Sequence, residues 1–173
     1  MGIKAESPQR GDRFMPTRVL VTEPKNCNGC GLCRLVCSMT KSGARHPARA
    51  RIRILQLGGR ELYLPVICQH CLDAPFMAVC PREAFYRDNA LDRVVVDYER
   101  CISCRMCSAA CPFGAIGFDE ERQKVFKCDL CGGQPLCVEY CFPRALAYIQ
   151  DYRMPNPRLR KSAARTVPGR PIR

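Results

Sequence analysis

A chain of 173 residues with a formal charge of +12 and 15 cysteines has room for one or two small domains, in which apolar burial alone stabilises only modestly. Such a cysteine density would ordinarily point to a disulfide-rich secreted protein, but an odd count with repeated two-residue spacings suits thiolates converging on metal better than paired crosslinks. No apolar run approaches the ~20 residues of a membrane span, and the opening Met1–Arg10 carries neither an apolar signal segment nor a twin arginine, so a cytoplasmic protein without direct membrane insertion is expected.

Residues 1–16 are polar, with Gly and Pro, and read as an arm without secondary structure. Arg18–Thr22 is a short β-branched segment that delivers the chain to Cys27-Asn28-Gly29-Cys30-Gly31-Leu32-Cys33-Arg34-Leu35-Val36-Cys37. This is the C-x2-C-x2-C-x3-C spacing by which bacterial ferredoxins hold [4Fe–4S] clusters. Three thiolates two residues apart can wrap one face of a cubane. The fourth is expected to start a helix and serve a neighbouring cluster. Ser38–Ala50, with Gly43 and Pro47, reads as a connecting loop.

Residues 51–57 and 60–67 flank Gly58-Gly59 with partial alternation and predict a hairpin. It leads into the second run, from Cys68 and Cys71 to Cys80-Pro81, in which Phe76 stands among the cysteines. Phe85–Arg87 and Val94–Val96 read as another strand pair. The segment around Val94–Val96 enters Cys101-Ile-Ser-Cys104-Arg-Met-Cys107-Ser-Ala-Ala-Cys111-Pro112 much as Arg18–Thr22 enters the first run, so the chain contains an internal repeat. Lys124–Lys127 precedes the last run, Cys128, Cys131, Cys137 and Cys141, in which a Gly-Gly turn lengthens the gap between the second and third cysteines.

Cysteine ligands bind as thiolates, and three oxidised cubanes would lower the formal charge to roughly +6. Much of the remainder lies between Tyr152 and Arg173, where seven Lys or Arg face no acid. A solvated tail and an arm docked on an acidic partner stand level as readings. Nucleic acid is disfavoured, because no aromatic residue follows Tyr152 to stack on bases.

Four successive runs, a hairpin between the first two and a stretched last run resemble the ferredoxin-type polycluster subunits of molybdenum and tungsten oxidoreductases. The resemblance covers about Arg18 to Ile149. The short length, absent export signal and degraded second run bring it nearest to the iron–sulfur subunits of tungsten-dependent benzoyl-CoA reductase and tungsten aldehyde oxidoreductase. It implies an α+β fold of two ferredoxin-like modules with short β-hairpins and short helices, the second inserted in the first. The outer module would span 17–50 plus 120–150 and the inserted one 51–119, with the arm at 1–16 and the basic tail at 151–173. It also implies three [4Fe–4S] clusters: one on Cys27, Cys30, Cys33 and Cys141, one on Cys37, Cys128, Cys131 and Cys137, and one on Cys80, Cys101, Cys104 and Cys107.

Phe76 departs from the family at the third cysteine of the second run, which leaves Cys68, Cys71 and Cys111 as a doubtful fourth site. A cubane with a foreign ligand, a three-cysteine iron cluster, zinc assisted by His70, or no metal are all open there. Phenylalanine cannot ligate iron and tends to fill the hole, so an empty, packed site is preferred, then an iron–sulfur cluster on three cysteines. The expected role is electron transfer to or from a larger tungsten- or molybdenum-pterin catalytic subunit, with a ferredoxin or another redox subunit as a further partner. A free-standing polyferredoxin is the alternative. A structural zinc protein binding nucleic acid ranks below both, since zinc prefers two separated C-x2-C pairs. No nucleophile–base pattern surrounds His46 or His70, so no catalytic residue is expected, and His70 is read as tuning a cluster or capping a turn. Phe113, Tyr140 and Phe142, beside cysteines, are expected to shield clusters from water.

Overall fold

The computed structural model describes residues 18–58 and 62–150. The polar arm at 1–16, the second glycine of the Gly58-Gly59 turn and the basic tail at 151–173 lie outside the described residues.

The β-branched segment Arg18–Thr22 forms strand β1, and its partner comes from the far end of the described chain. β1 pairs antiparallel with β8 (Leu146–Gln150), with Val19 opposite Ile149 and Leu20 opposite Tyr148. Between them lie three hairpins: β2 (Arg53–Leu57) with β3 (Leu62–Val66), β4 (Phe85–Asp88) with β5 (Arg93–Val96), and β6 (Ile116–Asp119) with β7 (Lys124–Lys127). Among the described residues each sheet has two strands, and an isolated two-stranded ribbon is marginal in water. The ribbons therefore depend on what they pack against.

They pack against the cysteine loops and four helices, α1 (Leu32–Ser42), α2 (Pro75–Ala78), α3 (Met106–Ala110) and α4 (Leu136–Glu139). The last three have only four or five residues, too few to be helical without tertiary support. α1 packs on α4, and α2 on α3. Part of Ser38–Ala50 is helix rather than loop, because α1 continues to Ser42. The Ser38 and Ser42 hydroxyls donate to the carbonyls of Leu35 and Ser38 at 2.9 and 2.7 Å, and Gly43 closes the helix in the left-handed region, its N–H donating to Met39. The fourth cysteine does not start a helix either. Helices begin at or beside the third cysteine, and Cys111 is the residue on which α3 ends.

Buried apolar residues form two cores. The first joins Leu20, Ile52, Ile67, Leu130 and Leu146 with Cys33, Cys37 and Cys137. The second joins Phe76, Phe85, Val94, Val96, Ile116 and Val125 with Cys107. Arg93 ties the cores together: from β5 it donates to the backbone carbonyl of Asp129 in the last run while its Nε pairs with Asp88 at 2.9 Å.

Candidate metal centres

Each cysteine run bends its backbone in the same way. The residue before the second cysteine has positive φ in all four runs: Gly29 at 73°, His70 at 47°, Ser103 at 57° and Leu130 at 54°. In the first, third and last runs the residue after that cysteine does too, at Gly31, Arg105 and Gly132. Such turns direct successive N–H groups into a concavity that suits an anionic guest, iron–sulfur clusters included. At Gly29 there is a second constraint, since an added Cβ would lie 2.6 Å from the Tyr63 ring. The second run keeps the bend before Cys71 but lacks the one after it.

The loops bring cysteines from distant runs to common cavities. Cys27, Cys30 and Cys33 line one with Cys141. Cys128, Cys131 and Cys137 line another with Cys37. Cys101, Cys104 and Cys107 line a third with Cys80. Backbone N–H groups already aim at sulfur: Arg51 donates to Cys37 at 3.2 Å, Ala84 to Cys80 at 3.3 Å and Leu130 to Cys128 at 3.4 Å. Donors of this kind stabilise thiolates and tune cluster potential.

As free thiols the more deeply buried of these groups resist ionisation. Burial, with the charges of neighbouring cysteines, pushes Cys33 and Cys107 up to about 11. Burial pushes Cys128 up to about 12, and Cys137 still higher beside Cys128, Cys37 and Cys131. Thiolates gathered around one cavity repel one another, and the positive charge of an iron–sulfide core would relieve that repulsion. Among the described residues Arg34 Nε, next to Cys33, is a buried donor without a protein acceptor, and His70 Nε2 is another, though it stands by Cys68 and Cys71 and not at any of the three cavities. Cluster sulfides would offer acceptors to such groups. The donor sets thus fit [4Fe–4S] clusters at all three cavities.

The Cys68 region is built differently. Cys68 lies near enough to Cys111 and Cys128 for their charges to act on it, and Cys71 and Cys111 pack against the second core. Phe76 is 2 % exposed there and meets Phe85 edge to face at 5.1 Å. Lys127, also 2 % exposed, brings its ammonium to Cys68 and sits 5.9 Å from the Phe76 ring. Arg87 donates to the carbonyls of Cys71 and His70, fastening the second run to β4. His70 Nδ1 accepts from the Val94 N–H at 3.2 Å. Burial first, then Lys127, lowers the His70 pKa to about 3, so the imidazole is neutral.

Two residues that matter here have no motif around them. Lys127 ends the strand sequence Lys-Val-Phe-Lys, and alternation puts it on the face of buried Val125, but a lysine at that position is not ordinarily read as a core residue. Asp129, beside Cys128, receives Lys41 at 2.9 Å and Arg51 at 2.7 Å and accepts the Cys131 N–H at 3.0 Å. Burial alone would raise its pKa, but these partners outweigh it and hold the carboxyl at about 2. Of the three aromatics expected as shields, Tyr140 is partly exposed but lines the first cavity, whereas Phe113 and Phe142 are exposed and line none of the three, Phe142 at 77 %. Phe113 and Phe142 sit in the tight turns after Cys111 and Cys141, where the backbone points side chains outward. His46 precedes the 3-10 turn Pro47–Arg49, away from the cavities.

Among known proteins, the family described as the 4Fe-4S dicluster domain matches residues 60–151, which hold the second, third and last runs. The polyferredoxin-like subunit of an aliphatic sulfonate oxidoreductase from Pyrococcus furiosus is 39% identical over 123 residues, 71% of this chain and 70% of that protein. An uncharacterized ferredoxin of Methanocaldococcus jannaschii is 38% identical over 125 residues, 72% of this chain and 68% of its own length. A chain in the active site complex of benzoyl coenzyme A reductase, as isolated, superposes with a TM-score of 0.46 at 23% identity, covering 87% of each chain. The chain therefore belongs to the 4Fe-4S dicluster domain family, as an α+β, ferredoxin-type iron–sulfur protein of electron transport in oxidoreductases.

Proposed function

We propose that the chain carries three [4Fe–4S] clusters and passes electrons through them to or from a larger catalytic subunit bearing a tungsten or molybdenum pterin. The observation that carries this reading is the set of three cavities, each lined by four cysteines of which one comes from a different run. The ligand sets are Cys27, Cys30, Cys33 and Cys141; Cys37, Cys128, Cys131 and Cys137; and Cys80, Cys101, Cys104 and Cys107. Cys33 and Cys37 share α1, so the first two clusters stand side by side. Crossed ligands of this kind, with β1 on β8 and α1 on α4, support two ferredoxin-like modules, 51–119 inserted between 17–50 and 120–150.

When bound, the clusters supply one-electron carriers, and the protein holds their potentials, their spacing and their isolation from water. Exposed Tyr140 and Phe142 flank Cys141, and Ile102 and Met106 flank exposed Cys104. Apolar residues left in the open beside a redox group suit docking of another protein there. An oxidoreductase partner also agrees with the sulfonate oxidoreductase relative, and a benzoyl-CoA or aldehyde substrate for that partner is the finer form of the proposal. Among the described residues no helix is long and apolar enough to cross a membrane.

Anaerobic purification from the native source tests the reading. Iron and sulfide for three cubanes, with a large pterin-containing subunit travelling in the same complex, is the expected result. Zinc as the main metal would reject it, and clusters without a partner would leave a free polyferredoxin.

A further inference from the structure

Burial lowers the pKa of Lys127, which is 2 % exposed, so to keep its proton it needs a counter-charge: leaving an ammonium unpaired in a poorly solvated interior costs several kcal/mol. Among the described residues no carboxylate forms an ion pair with Lys127. The nearby acid, Asp129, is already taken by Lys41 and Arg51. Lys127 Nζ instead donates to the backbone carbonyls of Cys128 (2.9 Å) and Val94 (2.5 Å) and reaches the Cys68 sulfur. His70 Nδ1, 3.5 Å away, already receives the Val94 N–H. Carbonyl dipoles and a thiol solvate the ammonium in part but carry no full negative charge.

The position is equally informative. Lys127 directly precedes Cys128, which lines the second cavity, and none of its partners lines the third. It also stands beside Cys68 with its charge over Phe76, where a fourth cluster would have its sulfurs. Phe76 removes a ligand and offers an aromatic face, and cations within ~6 Å of such a face are attracted to it. Ring and ammonium together occupy ground that a cubane would need.

We propose that Lys127 takes the place of a fourth cluster and is the built-in counter-ion of the cluster on Cys37, Cys128, Cys131 and Cys137, raising that cluster's reduction potential above what its ligands alone would set. The inference rests on the reading of that cavity as a cubane site. An oxidised four-thiolate cubane carries about −2 and gains one negative charge on reduction, so a fixed positive charge beside it favours the reduced form. Lys127 is in this sense a positioning residue for charge and ligates nothing. Its replacement of a cluster also sets a gap in the electron path, since the Cys68 region lies between Cys128 on one side and Cys111, at the end of α3, on the other.

The test is a redox titration of the anaerobically purified full-length protein, in complex with whatever partner accompanies it, followed by electron paramagnetic resonance. Cys137→Ser identifies the signal of the cluster concerned. Lys127→Met should shift the midpoint potential of that cluster downward and leave the other two in place, with iron content unchanged, and Lys127→Arg should restore it. Should Lys127→Met not fold, Lys127→Gln keeps hydrogen bonding to the carbonyls without the charge and is read in the same way. Potentials that stay put, or that move together in all three clusters, would overturn the proposal. So would iron for four cubanes in the unmodified chain, because the fourth would need the space Lys127 holds. Absence of any cluster signal would fail the cubane reading itself, which separates the two outcomes.

Discussion

The two cores solve one problem with different materials. In the first, three of nine buried residues are cysteines, and the loops that carry them bend twice around each second cysteine. In the second, one of eight is a cysteine, and Phe76, Phe85, Val94 and Ile116 fill the middle. The cysteines around the second core number seven against eight in the first, and the difference falls at Phe76. The second core, with Phe76 where the other runs have a cysteine, is apolar and also holds the buried Lys127. On the proposed reading, a ferredoxin-type scaffold gives up one cluster and keeps its packing because volume and charge are both made good.

The largest expected effect follows from that contrast. Chelating the iron anaerobically should unfold the first core, a third of whose buried residues are cysteines, while the second retains partial structure around Phe76 and Val94. Hydrogen exchange should show β1, β8 and α1 losing protection well before β4 and β5. Simultaneous loss everywhere would show that the cores fold as one unit and would erase the comparison.

Next in size is Cys141→Ser. If Cys141 serves the cavity of Cys27, Cys30 and Cys33, spectra should report damage to that cluster and leave the site of Cys128, Cys131 and Cys137 intact. Damage confined to the latter would mean that each run feeds its own cluster.

Phe76 probes the other half. Phe76→Ala should cost about 3–5 kcal/mol in chemical denaturation, as buried aromatics do when truncated. Phe76→Cys by itself should add no iron, since Lys127 keeps its ammonium beside Cys68. Combining it with Lys127→Ala restores a fourth ligand and removes the competing charge, and iron content should then rise. A gain of iron from Phe76→Cys alone would show that the ring, and not the lysine, closes the site.

The smallest effect sharpens the electrostatic side of the contrast. His70 has its folded pKa depressed to about 3 from an ordinary value of 6.5. The unfolded chain therefore binds the proton first, and stability present above pH 6.5 is lost as the pH falls towards 3. Between pH 7 and 5.5 this should amount to about 1 kcal/mol. His70→Asn should flatten that part of the pH profile in thermal unfolding of the cluster-loaded protein, and an unchanged profile would place the acid sensitivity elsewhere.

Sequence reading reached a good deal of this. The C-x2-C-x2-C spacing dictates a loop with bends at set positions, and a local constraint of that kind is visible in local residues, as at Gly29 and Gly31. The strands at Arg18–Thr22, at Phe85–Arg87 with Val94–Val96 and at Lys124–Lys127 were equally legible, because β-branched runs and turn residues act over a few positions. Less legible was α1, whose continuation to Ser42 depends on serine hydroxyls folding back onto the helix carbonyls and on burial of Ser38. The outward-facing Phe113 and Phe142 could not be told from packing residues either, since the turn that follows a fourth cysteine sets their direction.

What the chain by itself determined is therefore the cysteine loops, the strand segments and the missing ligand at Phe76, all of which are properties of neighbours along the backbone. Only the tertiary structure decided the register in which β1 closes on β8 and that Lys127 would be drawn inside beside Cys68, while it brings Cys141 to the cavity of Cys27, Cys30 and Cys33 that the family resemblance had implied. Those contacts join residues far apart in the chain, and their sign and partners depend on what the rest of the fold leaves unfilled and uncompensated. Lys127 shares a strand face with Val125, but that its ammonium is taken up by the Val94 and Cys128 carbonyls beside Cys68 follows only from the fold.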